Sequence, residues 1–325
     1  MKILITGAAG FIGFHAAIRE LDRGNTVIGV DNLNNYYERR IKISRIKNLK
    51  KYKKFIFLKN NLLEKKFYKN IKKYYSEISC IIHLAGQAGV RYSITNPEAY
   101  IKQNILAYIK LLEFFKMSKK LKLVLYASSS SVYGEKVSNK NSLYPASKPI
   151  SVYAASKISM ELISNAYCHL YKKNLIGLRF FTVYGPWGRP DMSYFKFFNL
   201  ASRNKSITVF NYGNHSRSFT YIDDLINNMA KIKNYYLAKN NKKAESHVYN
   251  LGNPKTVTLK HLIKTMEIIY GKNFKKKYIA KQPGDVLNTA ANLIIEKKKF
   301  KLKFSYNLER GLKNFYFWFK KYKNY

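Results

Sequence analysis

The sequence predicts an α/β fold, a doubly wound parallel sheet with a smaller lobe interleaved into it, and three observations carry that prediction. Short apolar runs alternate along the chain with helix-length amphipathic stretches, the pattern of parallel strands covered by helices on both faces. The first apolar run ends in a glycine-rich turn that opens a helix, Gly7-Ala8-Ala9-Gly10-Phe11-Ile12-Gly13. Two segments, 184–217 and 252–290, break the rhythm, the first with Gly, Pro, Trp and Arg.

In order, the runs near 2–6, 26–30, 55–58, 79–84, 122–127, 175–181 and 247–250 read as strands. Stretches near 11–23, 98–118, 152–172 and 222–237 read as helices. With 46% hydrophobic residues in 325, the chain can form a full core. No run of about 18 apolar residues appears, so no spanning helix is expected. The apolar stretch at Met1–Gly7 is too short for a signal-peptide core and reads as a buried strand of a cytoplasmic protein. Cys80 and Cys168 form no C-x-x-C, and with His83 and His169 they build no four-ligand site. They read as buried free thiols, and no metal is implied.

The net charge of +42 raises the question of nucleic acid. The lysines, however, run from Lys2 to Lys323 and accompany an excess of Asn, Ile, Tyr and Phe, residues that share A/T-rich codons. A solvated lysine-rich surface is the preferred reading, with nucleic-acid binding as the alternative. Such a field also draws anionic ligands.

The glycine turn follows a strand and opens a helix, the Rossmann-type context in which backbone amides meet a pyrophosphate. Asp31 ends the second strand at the distance where an acid binds the adenosine ribose hydroxyls. A carboxylate there repels a 2′-phosphate, which favours NAD, whereas Arg39 and Arg40 nearby keep NADP open. Tyr153-Ala154-Ala155-Ser156-Lys157 places a phenol and an ammonium one helical turn apart. An adjacent ammonium is expected to lower the phenol's pKa, so that the tyrosine takes a hydroxyl proton. With 28 tyrosines and abundant lysine, chance pairs of this spacing are expected. Position distinguishes this one: the serine run Ser128–Ser131 leaves a buried strand upstream, where open α/β sheets place ligands.

Together with His83-Leu84-Ala85 and Arg179 to Pro186, these motifs resemble the extended short-chain dehydrogenase/reductase family, closest to its nucleotide-sugar epimerase/dehydratase branch. Three stretches resemble UDP-glucuronate 4-epimerases: Gln87 to Ser93, Thr182 to Asp191 (TVYGPWGRPD), and Phe219 to Asp224. The likeness covers nearly the whole chain. It implies an NAD-binding domain over 1–183, with 218–250 returning to it, and a mainly substrate-binding lobe from 184–217 and 251–325. It also implies a homodimer through helices 98–118 and 152–172, although their apolar faces suit core packing equally well.

Residue by residue, the resemblance assigns catalysis to Ser129, Tyr153 and Lys157. Gly7, Gly10, Phe11, Ile12, Gly13, Asp31, Asn61, Leu84, Ala85, Gln87 and Val183 would hold NAD, with Tyr153 and Lys157 beside the nicotinamide. Asn61 stands where the family usually has aspartate. Arg217 and Asp285 would hold the diphosphate and nucleoside, with Val209 and Phe210 near the uracil. Ser130 and Ser131 replace the Asp-Glu pair of 4,6-dehydratases and the glutamate of decarboxylases, which points to epimerisation. Ser130, Ser131, Thr182 and Arg189 would restrain a sugar carboxylate, and Arg91 either contacts the sugar or braces a loop. The expected reaction is C4 epimerisation of a UDP-sugar, with UDP-glucuronate leading. The alternatives are a UDP-glucose-type epimerase, a basic nucleic-acid-binding protein and a cofactor-bound structural protein without turnover.

Overall fold

In a computed structural model of the chain, residues 1–134, 149–239, 243–281 and 286–323 are described. In chain order the strands are Lys2–Thr6 (β1), Thr26–Asp31 (β2), Phe55–Lys59 (β3), Ile78–His83 (β4), Leu123–Ser129 (β5), Asn174–Phe180 (β6), Thr182–Tyr184 (β7), Ile207–Phe210 (β8), Ser216–Tyr221 (β9), Ser246–Leu251 (β10), Thr256–Thr258 (β11), Lys276–Ile279 (β12) and Asn288–Thr289 (β13). Seven of them form one parallel sheet in the order β10-β6-β5-β4-β1-β2-β3. These are the seven apolar runs of the sequence, with ends shifted by two residues at most. Their middles are apolar because helices cover both faces; every residue of β4 is buried.

Strand order reverses at β1. The chain moves outward through β2 and β3, then returns to place β4 on the other side of β1. A crevice opens at such a switch point, beyond the carboxyl ends of the strands. A smaller lobe carries the remaining strands. There β9 pairs with β7 and β13 in parallel and with β11 antiparallel, and β8 pairs with β12. After β9, the helix Ile222–Ala238 runs back to the main sheet, which β10 completes. The buried Lys233–Glu20 ion pair, 2.5 Å long, ties that helix to the first helix, Phe11–Asp22.

One predicted helix differs. The stretch expected as continuous over 98–118 is Pro97–Tyr100, then a π-helical turn Ile101–Leu106, then Ala107–Phe115. The irregularity surrounds Asn104, which is fully buried. Its Oδ1 accepts from the Gln87 amide at 2.7 Å, and its Nδ2 donates to the Gln87 carbonyl and the Ser156 hydroxyl. A polar side chain turned inward to serve a loop accounts for the widened turn. No helix among the described residues is long and apolar enough to cross a membrane. Cys80 and Cys168 are buried free thiols. The described residues hold no His, Cys, Asp or Glu cluster fit for a metal.

Candidate active site

A cleft of about 470 Å³ lies over the switch point, within the usual size of a ligand site. Its floor is the glycine turn. Gly7 has φ +73°, and a Cβ there would meet the Ala85 amide nitrogen at 2.7 Å. A Cβ on Gly13 would lie 2.1 Å from the Gly7 carbonyl oxygen. The first helix therefore packs directly on the strand end, where its amide dipoles face the cleft. Gly10 caps this helix without a side chain, and no acid occupies its first turn. Those amides are left for an anion. The donor set and the close-packed glycines fit the diphosphate of a dinucleotide.

At one end of the cleft, Asp31 accepts from the Leu33 amide at 2.8 Å and the Ala9 amide at 3.1 Å. Burial raises its pKa, while those amides and the Lys42 charge oppose the rise. Lys42 is a site residue that the sequence reading passed over. Its ammonium donates to the Asn34 carbonyl at 2.7 Å and to Asn34 Oδ1 at 2.6 Å, and lies 4.3 Å above the Tyr37 ring. Burial pulls it down to about 8, although Asp31 opposes the fall. Arg39 and Arg40 are exposed and outside the cleft lining, so Lys42 takes the position that they were expected to contest. Asn61 also lines the cleft, with its Oδ1 accepting from the Leu63 amide at 3.0 Å.

At the other end, the helix Val152–Tyr171 begins at Ser151, whose hydroxyl accepts from the Ala154 amide. This cap sets Tyr153 in the first turn, facing the serine run. Burial raises the Tyr153 phenol, opposed by its hydrogen bond with Ser129 and by the Arg189 charge. The expectation that Lys157 lowers this pKa is corrected. The Lys157 ammonium is drawn to the Ala127 carbonyl at 2.8 Å and lies 6.0 Å from the Tyr153 ring centre. Ser129 and Arg189 are the groups that ease the phenol's ionisation. Burial brings Lys157 itself down to about 8, with Glu161 opposing.

Behind the serines stands a buried polar network that motif reading did not reveal. Glu161 accepts from Ser128 Oγ at 2.5 Å and from Arg179 Nε and Nη2 at 2.9 and 2.7 Å. Arg179 also donates to the Tyr133 hydroxyl, which donates to Asn250 Oδ1. The serine run is thus gripped from both ends. The spacing of Tyr153, Lys157 and Glu161, four residues apart on one helix face, is the signal that could have found it.

Leu84, Ala85, Gln87, Ser129, Ser130, Ser131, Thr182, Val183 and Arg189 all line the cleft with Tyr153 and Lys157. Arg189, however, is already engaged: its Nε and Nη2 bind both oxygens of Asp191, at 3.0 and 2.5 Å. Burial alone would raise the Asp191 carboxyl, but Arg189 holds it below its ordinary value. The nucleoside set is not gathered in the cleft. Val209 is fully buried, and Arg91 is exposed with its guanidinium 4.1 Å over the Phe210 ring. Arg217 donates to the carbonyls of Ser216, Val286 and Leu287, and Asp285 lies outside the described residues.

A doubly wound sheet, a glycine turn against a bare helix end, and a Ser-Tyr-Lys set at the strand ends define a dinucleotide-dependent enzyme of the short-chain dehydrogenase type. Comparison with known proteins agrees. Residues 3–252 match the NAD dependent epimerase/dehydratase family, and the chain belongs to it. It is an NAD-dependent enzyme of nucleotide-sugar chemistry. An uncharacterized protein of Methanocaldococcus jannaschii is 44% identical, over 98% of this chain and 96% of its own length. UDP-glucuronate 4-epimerase 6 of Arabidopsis thaliana is 39% identical over 98% of this chain and 71% of the relative. The crystal structure of UDP-glucuronic acid 4-epimerase from Bacillus cereus, in complex with UDP-glucuronic acid and NAD, aligns with a TM-score of 0.89 at 31% identity, covering 99% of this chain and all of that one.

Proposed function

We propose that the protein interconverts UDP-glucuronate and UDP-galacturonate by epimerisation at C4. The lining beside Tyr153 carries this reading: the hydroxyls of Ser129, Ser130, Ser131 and Thr182 and the guanidinium of Arg189. Hydroxyls stand at 130 and 131, where related dehydratases and decarboxylases use carboxylates to remove a proton or direct bond cleavage. The glycine turn, Asp31 and Lys157 would hold NAD, which when bound would supply a reversible acceptor for the C4 hydride, so that the hydride can return to the opposite face of the ring. Tyr153 takes the C4 hydroxyl proton and later gives it back, and Ser129 hydrogen-bonds the same oxygen. The 4-keto sugar derived from glucuronate is a β-keto acid. It loses carbon dioxide when the bond to its carboxylate stands perpendicular to the ketone plane. Hydroxyl donors hold that carboxylate away from the perpendicular, and Arg189, whose Nε and Nη2 bind Asp191, adds its remaining Nη1. The relatives that act on UDP-glucuronate support the choice of sugar.

Incubation of the NAD-loaded protein with UDP-glucuronate, UDP-glucose and UDP-xylose, followed by product NMR, tests the assignment. UDP-galacturonate is the expected product, and turnover of UDP-glucose alone overturns it. The same reading includes a homodimer through the Pro97–Phe115 and Val152–Tyr171 segments. Ile101, Leu106 and Leu162 project from them into solvent, with 48, 41 and 67% of their surfaces exposed. Light scattering should give a dimer mass that Leu162→Glu halves; a monomeric wild type refutes it.

A further inference from the structure

We propose that Arg45 positions the sugar-binding loop against the cofactor loop, and thereby sets how strongly the site holds the sugar. Arg45 lies on the helix Arg39–Leu49 and is completely buried. Its Nη1 donates to the Ala9 carbonyl of the glycine turn at 2.8 Å and to the Tyr37 hydroxyl at 2.9 Å. Its Nη2 donates to the carbonyls of Trp187 and Gly188 at 2.5 and 3.1 Å. One planar group thus joins the loop under the cofactor to the two residues that precede Arg189.

Among the described residues no carboxylate pairs with Arg45. Its Nε has no hydrogen-bond partner among them. A guanidinium buried on uncharged acceptors alone, three carbonyls and a phenol, is a costly arrangement, kept only where its geometry is used. The loop that it holds is itself strained. Trp187 has φ +60°, a conformation that side chains larger than glycine rarely adopt. That conformation accompanies the carbonyl's approach to Arg45. Gly188 is closely packed: a Cβ there would lie 2.0 Å from the Tyr194 hydroxyl and 2.9 Å from the Gly185 carbonyl oxygen. His15 on the first helix meets the Pro186 carbonyl at 3.0 Å and steadies the same loop from the other side. Arg189 leaves this clamp directly into the cleft. A lysine at 45 keeps the charge but cannot span four acceptors as a fork does.

The sugar involved rests on the uronate reading; the clamp does not. The test titrates the NAD-loaded full chain calorimetrically with UDP, UDP-glucuronate and UDP-glucose, comparing wild type with Arg45→Lys and Arg45→Met. UDP binding should stay within about twofold, while UDP-glucuronate weakens about tenfold, the scale of hydrogen bonds to a charged group. In an Arg189→Ala background, Arg45→Lys should add no further selective loss. Equal weakening of all three ligands, or a lowered unfolding temperature with the ligand ratios intact, makes Arg45 a general structural brace and overturns the proposal. Should the wild type bind UDP-glucuronate no better than UDP-glucose, the uronate reading falls. The clamp then stands only if the UDP-glucose to UDP ratio drops in Arg45→Lys. If neither Arg45 variant folds, Tyr37→Phe, which removes one of the four acceptors, should shift the sugar-to-UDP ratio about threefold the same way. No shift overturns the clamp.

Discussion

Replacing Glu161 with Gln should separate the support of the active site from its chemistry. Glu161 and Arg179 are 9 and 8% exposed, and they share two charge-assisted hydrogen bonds. The substitution keeps the size of the side chain but leaves the guanidinium buried against a neutral amide. One amide oxygen must then serve Ser128 and two guanidinium nitrogens, and the amide NH2 faces a donor. Stranding one partner of a buried pair costs about 3–5 kcal/mol, a large part of the roughly 5–15 kcal/mol that holds a domain folded. Arg179→Met should cost a similar amount. The double variant should be little worse than either single, giving a coupling of about 3 kcal/mol. Urea unfolding followed by the fluorescence of Trp187 and Trp318 measures all three. Because Ser128 adjoins Ser129, kcat should fall in Glu161→Gln while KM changes little. Single losses below about 1 kcal/mol that simply add in the double variant would refute the reasoning.

Lys157 provides a pH test. Its folded pKa, about 8, lies below the ordinary 10.5. The folded state therefore binds this proton more weakly than the unfolded state, and the lysine's unfavourable contribution is fully present below about pH 8. Stability from this group rises between about pH 8 and 10.5, and the wild-type curve minus that of Lys157→Met should show the rise. Turnover that needs the ammonium should decline as pH passes about 8, and a rate still level at pH 10 contradicts the assignment. Arg189→Ala should raise KM about tenfold for UDP-glucuronate and hardly at all for UDP-glucose; equal loss on both sugars removes its carboxylate role. Gly13→Ala should abolish NAD retention through its clash with the Gly7 carbonyl, and calorimetric NAD binding of wild-type strength would contradict the packing argument.

The main sheet was legible because burial on both faces makes its strands continuous apolar runs, which lysine enrichment elsewhere cannot imitate. The glycine turn and Ser129 were legible because each sits at the end of such a strand, and Tyr153 and Lys157 because they open the next helix one turn apart. The lobe was harder. Strands such as β7 and β13 span only three and two residues, too short for alternation to register. The helix Arg39–Leu49 was missed for a physical reason: its sequence, RRIKISRIKNL, reads as solvated charge, yet Lys42 and Arg45 both face inward. The burial of Arg45 depends on carbonyls at residues 9, 187 and 188, and that of Lys42 on Asn34 in the preceding loop, which no helical periodicity announces. The engagement of Arg189 by Asp191 was hidden within a motif where both residues had been quoted. Adjacency in sequence does not disclose which edge of a guanidinium is occupied.

The π-helical turn at Ile101–Leu106 amounts to one surplus residue wound into an otherwise α-helical rod. Deleting Gln103 would let the rod close into regular α-helix, an improvement by local criteria. Because the extra residue is taken up in the widened turn, everything before the deletion would keep nearly the same phase relative to everything after it. What it would remove is the widened turn from which Asn104 reaches Gln87, beside the Tyr100 hydroxyl that donates to the Ala88 carbonyl at 2.9 Å. The surplus residue thus serves the 87–89 loop and not the helix, so its deletion should leave the protein folded while loosening that side of the cleft.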